Sequence, residues 1–117
     1  MVVELYGTPT ALDRYGEIAQ AAAAADVDVQ FVTDEVLESM ADTVTPQGIV
    51  AACKQFPTSV RDLLAGEPRL IVILEEVRDP GNAGTIIRAA DAAGADGVIF
   101  TGRSVDPYNP KVVRATT

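Results

Sequence analysis

Three residues of the run DPGNAGTIIRAA (residues 79–90) have the types and the spacing that suit the binding of an anion. Asn82 offers a side-chain amide, and Arg88 offers a guanidinium that can hold two phosphate oxygens. Gly84 lies one helical turn before Arg88, and side chains on a helix lean towards its N-terminus. Arg88 is therefore expected to reach back over Gly84, which has no side chain, towards the loop that contains Asn82. Such a site, with the free amides of a helix start, suits a phosphate or a sugar oxygen.

Each of these residues also has an ordinary structural explanation. Asn82 can cap the helix through its side-chain oxygen, and Gly84 can allow close packing of the helix on a strand. Arg88 can pair with Asp91 three residues later, which contributes only about 0.2–0.5 kcal/mol. From the residues alone, binding and purely structural roles both stay open.

The elements around this run place it where a strand ends and a helix begins. An apolar run at 70–74 precedes it and another at 98–100 follows it, which predicts strand, loop, helix, strand. Ligands of open α/β sheets bind at the carboxyl ends of the strands. Within the loop, Pro80 fixes one φ angle and Gly81 permits a positive one, so both are expected to shape the turn. The unbroken apolar run at 70–74 predicts a strand of a parallel sheet that is buried on both faces.

The helix over 83–93 is expected to end at Gly94. Asn109 is expected to cap a last helix that has Pro110 at its first position. The first half of the chain predicts the order β-α-β-α-β, with strands at 2–6, 27–32 and 49–53 and helices at 11–25 and 34–41. Thr33 is the expected N-cap of the second of these helices. In this helix, the residues expected to face the protein core are Val36, Leu37 and Met40.

Composition narrows the classes of function. The 117 residues are 48% apolar, enough for one domain or two partial ones, and the net charge is −8. Residues 1–50 carry all of this excess and residues 51–117 are neutral, so a basic nucleic-acid site is possible only locally, in the second half. With Cys53 as the one cysteine and no histidine, neither a disulfide nor a metal site is expected. No apolar run reaches membrane-spanning length, and no secretory signal is visible.

Two blocks of the second half resemble a known family. Residues 79–94, DPGNAGTIIRAADAAG, closely resemble the first signature of the SpoU-type (TrmH-like) RNA 2′-O-ribose methyltransferases of the SPOUT superfamily. Residues 104–115, SVDPYNPKVVRA, also resemble that family, so the resemblance covers 70–117. The stretch 34–53, which includes Asp42 in DTVTPQG, is similar to the accessory RNA-binding domain of the family.

The resemblance implies an α/β fold in two parts. Residues 1–56 would be a partial accessory RNA-binding α/β domain, and 57–68 a linker with one short helical turn. Residues 69–117 would be the N-terminal part of a knotted, parallel-sheet methyltransferase domain. The second and third signatures of the family, which form the knot and most of the cofactor pocket, would lie beyond Thr117. The chain is therefore expected to be truncated at both ends, with the knot-forming part absent.

The resemblance also implies an activity, the transfer of a methyl group from S-adenosylmethionine to a ribose 2′-hydroxyl of rRNA or tRNA. Arg88 would be the catalytic arginine and Asn82 its neighbour, while Asn109, Lys111 and Arg114 would bind RNA. No residue of this chain is expected to bind the cofactor. The family implies a cytoplasmic homodimer, and the uncovered apolar face of an incomplete sheet also favours association.

The role of Arg88 and the class of function have alternatives. A guanidinium stays protonated, so we favour a role in holding the adjacent phosphate and stabilising alkoxide charge. A proton-accepting role would need an unusual local environment. For Lys111 and Arg114, the alternative is a solvated helix face. A non-catalytic RNA-binding module derived from the family is the second hypothesis. A nucleotide-binding α/β domain is the third, and it is the least favoured because the loop lacks the Gly-x-Gly-x-x-Gly pattern and the lysine of a P-loop.

Overall fold

The chain folds around two separate sheets, one in each half, in a computed structural model that describes residues 1–41 and 43–117. Unit 1 comprises Met1–Gln55 and unit 2 comprises Phe56–Thr117. The predicted α/β class is therefore confirmed, with a mixed sheet in unit 1 and a parallel pair of strands in unit 2. Asp42, which is part of the DTVTPQG resemblance, lies outside the described residues.

Unit 1 is a three-stranded sheet with helices between its strands. Its elements are β1 (Val2–Gly7), α1 (Pro9–Arg14), α2 (Gly16–Ala24), β2 (Asp28–Phe31), α3 (Asp34–Met40) and β3 (Ile49–Cys53). The strand order is β2-β1-β3, with β2 parallel and β3 antiparallel to β1. Leu5, Leu12 and Ala22 form its buried core.

The helix predicted over 11–25 is two helices, and this correction has a local cause. The Thr8 hydroxyl caps α1 by accepting the Ala11 N–H at 3.2 Å, with proline at the first helical position. Tyr15 leaves the helical region at φ −110° and ψ 53°, so the second helix starts anew at Gly16.

The helix α3 begins as predicted but buries fewer residues than predicted. The cap at Thr33 is confirmed, because its hydroxyl accepts the Val36 N–H at 3.3 Å. Leu37 is only 1% exposed, whereas Val36 and Met40 are 45% and 41% exposed, so the prediction that all three face the core was wrong for two.

Unit 2 has two parallel strands with two helices packed against them. Its elements are α4 (Val60–Ala65), β4 (Ile71–Glu75), α5 (Pro80–Ala92), β5 (Gly97–Thr101) and α6 (Pro110–Ala115). Glu75 stands opposite Thr101, so both strands end at the same edge. Leu74, Ala83 and Val112 form the buried core. The predicted end of α5 at Gly94, with φ +73°, and the N-cap at Asn109 are both confirmed.

Burial of β4 on both faces was predicted and is not observed. Leu74 is 2% exposed beneath the helices, but its neighbour Ile73 is 64% exposed. Alternate residues of a strand point to opposite faces. The core formed with α5 and α6 includes Leu74, and the face that carries Ile73 stays open.

Residues 57–68, the predicted linker, belong to unit 2 and contain α4. Its Leu63 packs at the first residue of β5, where a Cβ built on Gly97 would lie 2.7 Å from the Leu63 side chain. None of the helices in the described ranges is long and apolar enough to cross a bilayer.

Candidate functional site

The loop before α5 is organised by Asp79, which caps the helix. Its carboxylate accepts the Asn82 backbone N–H at 2.7 Å, and Pro80 occupies the first helical position. An N-cap aspartate followed by proline satisfies the helix start well. Two interpretations are thereby corrected. Asn82 is not the cap, and Gly81 lies inside the helix rather than at a positive φ.

Because Asp79 caps α5, the side chain of Asn82 is not used for capping. In the part of the chain that the structure describes, Asn82 is exposed and its side-chain amide makes no hydrogen bond. An amide carries two N–H donors and one carbonyl acceptor. The group can therefore meet a ligand at the start of α5.

Gly84 is the point at which α6 comes closest to α5. A Cβ built on Gly84 would lie 2.4 Å from the Ala115 Cβ and 2.7 Å from the Val112 carbonyl oxygen. The space above Gly84 is thus filled by α6, and the prediction of an open path for Arg88 was wrong. The alternative explanation of Gly84 was close packing of its helix on a strand, but Gly84 packs against the helix α6 instead.

Arg88 reaches the C-terminal end of α6. Its Nη1 donates to a main-chain oxygen of Thr117, the last residue of the sequence, at 2.9 Å, and the side chain is exposed. The pairing with Asp91 is not among the ion pairs described. Most of the guanidinium donors are not used by this one hydrogen bond.

The structure describes no hydrogen bond between the side chains of Asn82 and Arg88. Six residues of helix correspond to about 9 Å along the axis and roughly 120° around it. The two groups therefore occupy different faces of α5, and only the length of the arginine side chain could bring them to one ligand.

The three predicted RNA-binding residues lie at the start and along the surface of α6. Asn109 uses its side-chain oxygen to accept the Lys111 backbone N–H at 2.9 Å, so that oxygen serves as the cap. Lys111 and Arg114 are exposed, with the buried Val112 between them.

A charged cluster at the carboxyl ends of β4 and β5 was missed by the sequence reasoning. Glu76 accepts Arg78 Nη2 at 2.8 Å and the Arg103 backbone N–H at 3.1 Å, and Arg103 Nε lies 3.6 Å away. The Arg78 hydrogen bond, followed by that of the Arg103 backbone, holds the pKa of Glu76 below its usual range. The available signal was a charged residue directly after one apolar run and shortly after the other.

A separate concavity of about 520 Å³ lies beside β5 and is mainly apolar. Phe56, Phe100 and Tyr108 are among its lining residues, and neither Asn82 nor Arg88 lines it. The site loop therefore does not open into this concavity. Within the described ranges, no group of acidic or cysteine side chains could hold a metal ion.

Two family models match the chain, one for each part. Residues 1–59 match the substrate-binding domain of RNA 2′-O ribose methyltransferases, and residues 69–117 match the SpoU rRNA methylase family. The second match contains the site loop, α5 and α6.

Individual proteins show the same similarity. The chain is 42% identical over 97 residues to slr1673 of Synechocystis, an uncharacterized tRNA/rRNA methyltransferase, and the match covers 80% of this chain and 33% of that protein. It is 34% identical over 89 residues to the 23S rRNA (guanosine(2553)-2′-O)-methyltransferase RlmP of Bacillus subtilis, covering 76% of this chain and 34% of that protein. The chain thus spans about a third of the length of these relatives.

A solved structure has the same fold. The AdoMet-bound rRNA methyltransferase from Sinorhizobium meliloti superposes with a TM-score of 0.76 at 34% identity. The superposition covers 98% of this chain and 42% of that one.

Proposed function

Because the chain belongs to the SpoU family of RNA 2′-O ribose methyltransferases, we propose that it serves the S-adenosylmethionine-dependent methylation of a ribose 2′-hydroxyl in rRNA or tRNA. The observation that carries this proposal is the pair of family matches, the second of which includes an exposed amide and an exposed guanidinium on α5. We propose that residues 1–56 act as the RNA substrate-binding domain and that 57–68 connect it to 69–117. The latter would be the N-terminal part of the knotted methyltransferase domain.

Arg88 is proposed as the catalytic residue and Asn82 as its neighbour in the site. The cofactor supplies an electrophilic methyl group on a sulfonium sulfur, and we assign no residue of this chain to holding it. The ribose 2′-oxygen would bond to the methyl carbon as the carbon–sulfur bond breaks and leaves a neutral thioether, and the hydroxyl proton would pass to water. Negative charge develops on the 2′-oxygen as that proton leaves. A guanidinium beside it stabilises this charge and holds the adjacent phosphate. The Asn82 amide would orient the ribose.

The remaining partners follow from the same family. We propose that Lys111 and Arg114 hold RNA phosphates, with the Asn109 amide nitrogen beside them. We also propose a homodimer in the cytoplasm, where rRNA and tRNA are modified. The open face of β4 supports association, because Ile73 on that face is 64% exposed.

A second function, an RNA-binding module without catalysis, is favoured by one observation. The concavity beside β5 is lined by neither Asn82 nor Arg88, so a ligand held there would be separate from the proposed catalytic residues, and RNA contacts on α6 would not depend on methyl transfer.

The test measures transfer of radiolabelled methyl from S-adenosylmethionine to rRNA and tRNA by the purified protein. Arg88→Ala should lower the rate by about 10²-fold or more, because a preorganised donor is removed from the developing charge. Arg61→Ala, an exposed arginine of α4, removes the same charge and should leave the rate unchanged. An Arg88→Ala variant with the rate of wild type would refute the catalytic role. RNA binding without transfer, and without calorimetric binding of the cofactor, would establish the second function.

A further inference from the structure

We infer that Arg78 and Arg103 form a second site for a phosphate of the RNA backbone, with Glu76 holding the two guanidinium groups side by side. The inference rests on the proposed function for its ligand. Arg78 immediately precedes the cap residue of α5, and Arg103 follows β5. Both arginines therefore stand at the carboxyl edge of the parallel strands, where α/β proteins bind their ligands.

The two loops that carry these arginines are joined by backbone hydrogen bonds. The Val77 N–H donates to the Ser104 hydroxyl at 3.1 Å, and the Val105 N–H donates to the Val77 carbonyl at 2.9 Å. The Glu76 N–H donates to the Thr101 carbonyl at 3.2 Å. Because a binding group is most effective on a rigid support, this joining favours a preorganised pair of arginines.

Backbone conformation marks the same place. Glu76 has φ +54°, a region that L residues rarely adopt, and Gly102 opposite it has φ +63°. A Cβ on Gly102 would lie 2.6 Å from a Glu76 carboxylate oxygen, so the glycine makes room for the carboxylate. Asp26 and Glu67 adopt the same conformation elsewhere in the chain, and at Glu76 it places the carboxylate against Gly102.

The guanidinium groups remain largely open to solvent. The side chains of Arg78 and Arg103 are 60% and 82% exposed, and each guanidinium has five N–H donors. Two positive charges meet one carboxylate, which leaves a net charge of +1 on this cluster in a chain of net charge −8. Exposed ion pairs contribute little to stability, so stability alone does not account for this arrangement. Arginine forks match phosphate oxygens in pairs, which suits an RNA backbone.

The experiment measures binding of a fluorescently labelled poly(U) oligonucleotide by anisotropy over a series of salt concentrations. Arg78→Ala and Arg103→Ala should each weaken binding and lower the salt slope by about 0.7, the value for one lost contact to a single strand. Arg103→Lys should keep the slope and lose part of the affinity, because the charge stays and the fork is lost. Arg61→Ala is the matched control, since α4 packs at Gly97, the opposite end of β5 from Arg103. Circular dichroism confirms that each variant is folded.

The outcomes separate this site from the proposed function. If Arg78→Ala and Arg103→Ala lose more affinity for the oligonucleotide than Arg61→Ala does, the site is supported, whether or not methyl transfer is detected. Equal effects of all three alanine variants would overturn the site and leave the methyltransferase proposal intact. If inorganic phosphate alone shifts the Arg103 amide resonance while the oligonucleotide does not bind, the RNA site is refuted in favour of a small-anion site.

Discussion

The close contact between α5 and α6 predicts that Gly84→Ala destabilises unit 2, although alanine is the better helix former. The added methyl group would lie 2.4 Å from the Ala115 Cβ and 2.7 Å from the Val112 carbonyl oxygen. Ordinary carbon contacts lie at about 3.5–4.0 Å, so α6 has to move by roughly 1 Å. Both obstacles belong to short or backbone groups, which cannot rotate away.

Three free-energy terms decide the sign of this effect. Overpacking costs about 1–3 kcal/mol, and the higher helix propensity of alanine returns about 1 kcal/mol. The shift of α6 also loosens Val112, which is 0% exposed and whose full burial contributes about 1.5–3 kcal/mol. The expected net loss in the free energy of unfolding is about 2 kcal/mol.

Urea unfolding followed by circular dichroism measures this loss, together with amide hydrogen exchange in α5 and α6. The midpoint should fall by about 1–2 M if m is about 1–2 kcal/mol/M. Gly16→Ala, at the start of α2, is the control for the same exchange in a helix, because no atom lies within 4 Å of its added Cβ. If Gly84→Ala unfolds at the urea concentration of wild type or higher, the helices do not approach as described.

Two further predictions concern the core and the acid limit of stability. Val112→Ala removes a fully buried side chain and should lower the free energy of unfolding in urea by about 2 kcal/mol. Val113→Ala, at a site that is 49% exposed, should change it by no more than about 0.5 kcal/mol. Equal changes in the two variants would contradict the described burial. Hydrogen bonds from the Leu70 N–H, and then from the Arg69 N–H, lower the pKa of Asp96, so the folded protein binds this proton more weakly than the unfolded chain. The resulting stabilisation is complete above the unfolded pKa of about 3.9 and is lost as the pH falls through the lower folded value. Asp96→Asn should therefore flatten the fall of the urea midpoint below about pH 5, and an unchanged fall would refute this role.

Local signals in the sequence predicted most of the element boundaries. The cap at Thr33, the helix end at Gly94 and the cap at Asn109 depend on side chains or backbone angles within a few residues. The strand over Ile49–Cys53 was also predicted with its observed bounds. The break at Tyr15 was missed because the helical pattern predicted over 11–25 continues across it and ends in the alanines at 21–25.

Properties that depend on distant segments were not predictable in this way. The burial of Ile73 depends on what covers the second face of β4, and an apolar run alone does not contain that information. The cluster around Glu76 joins residues 76–78 to residue 103, so it exists only after the two strands pair. Sequence reasoning located the junction between β4 and α5, because a strand-to-helix junction is local, and missed the charges that strand pairing brings beside it.

Gly84 connects the packing of α6 to the position of Arg88. We predicted that the missing side chain at Gly84 would let Arg88 reach over this position, but α6 occupies that space. Yet the close approach that Gly84 permits is what brings the end of α6 to α5. There a main-chain oxygen of Thr117 accepts a hydrogen bond from the Arg88 guanidinium at 2.9 Å. A larger residue at position 84 would push α6 outward, so Gly84 affects the surroundings of Arg88 through helix packing rather than through open space.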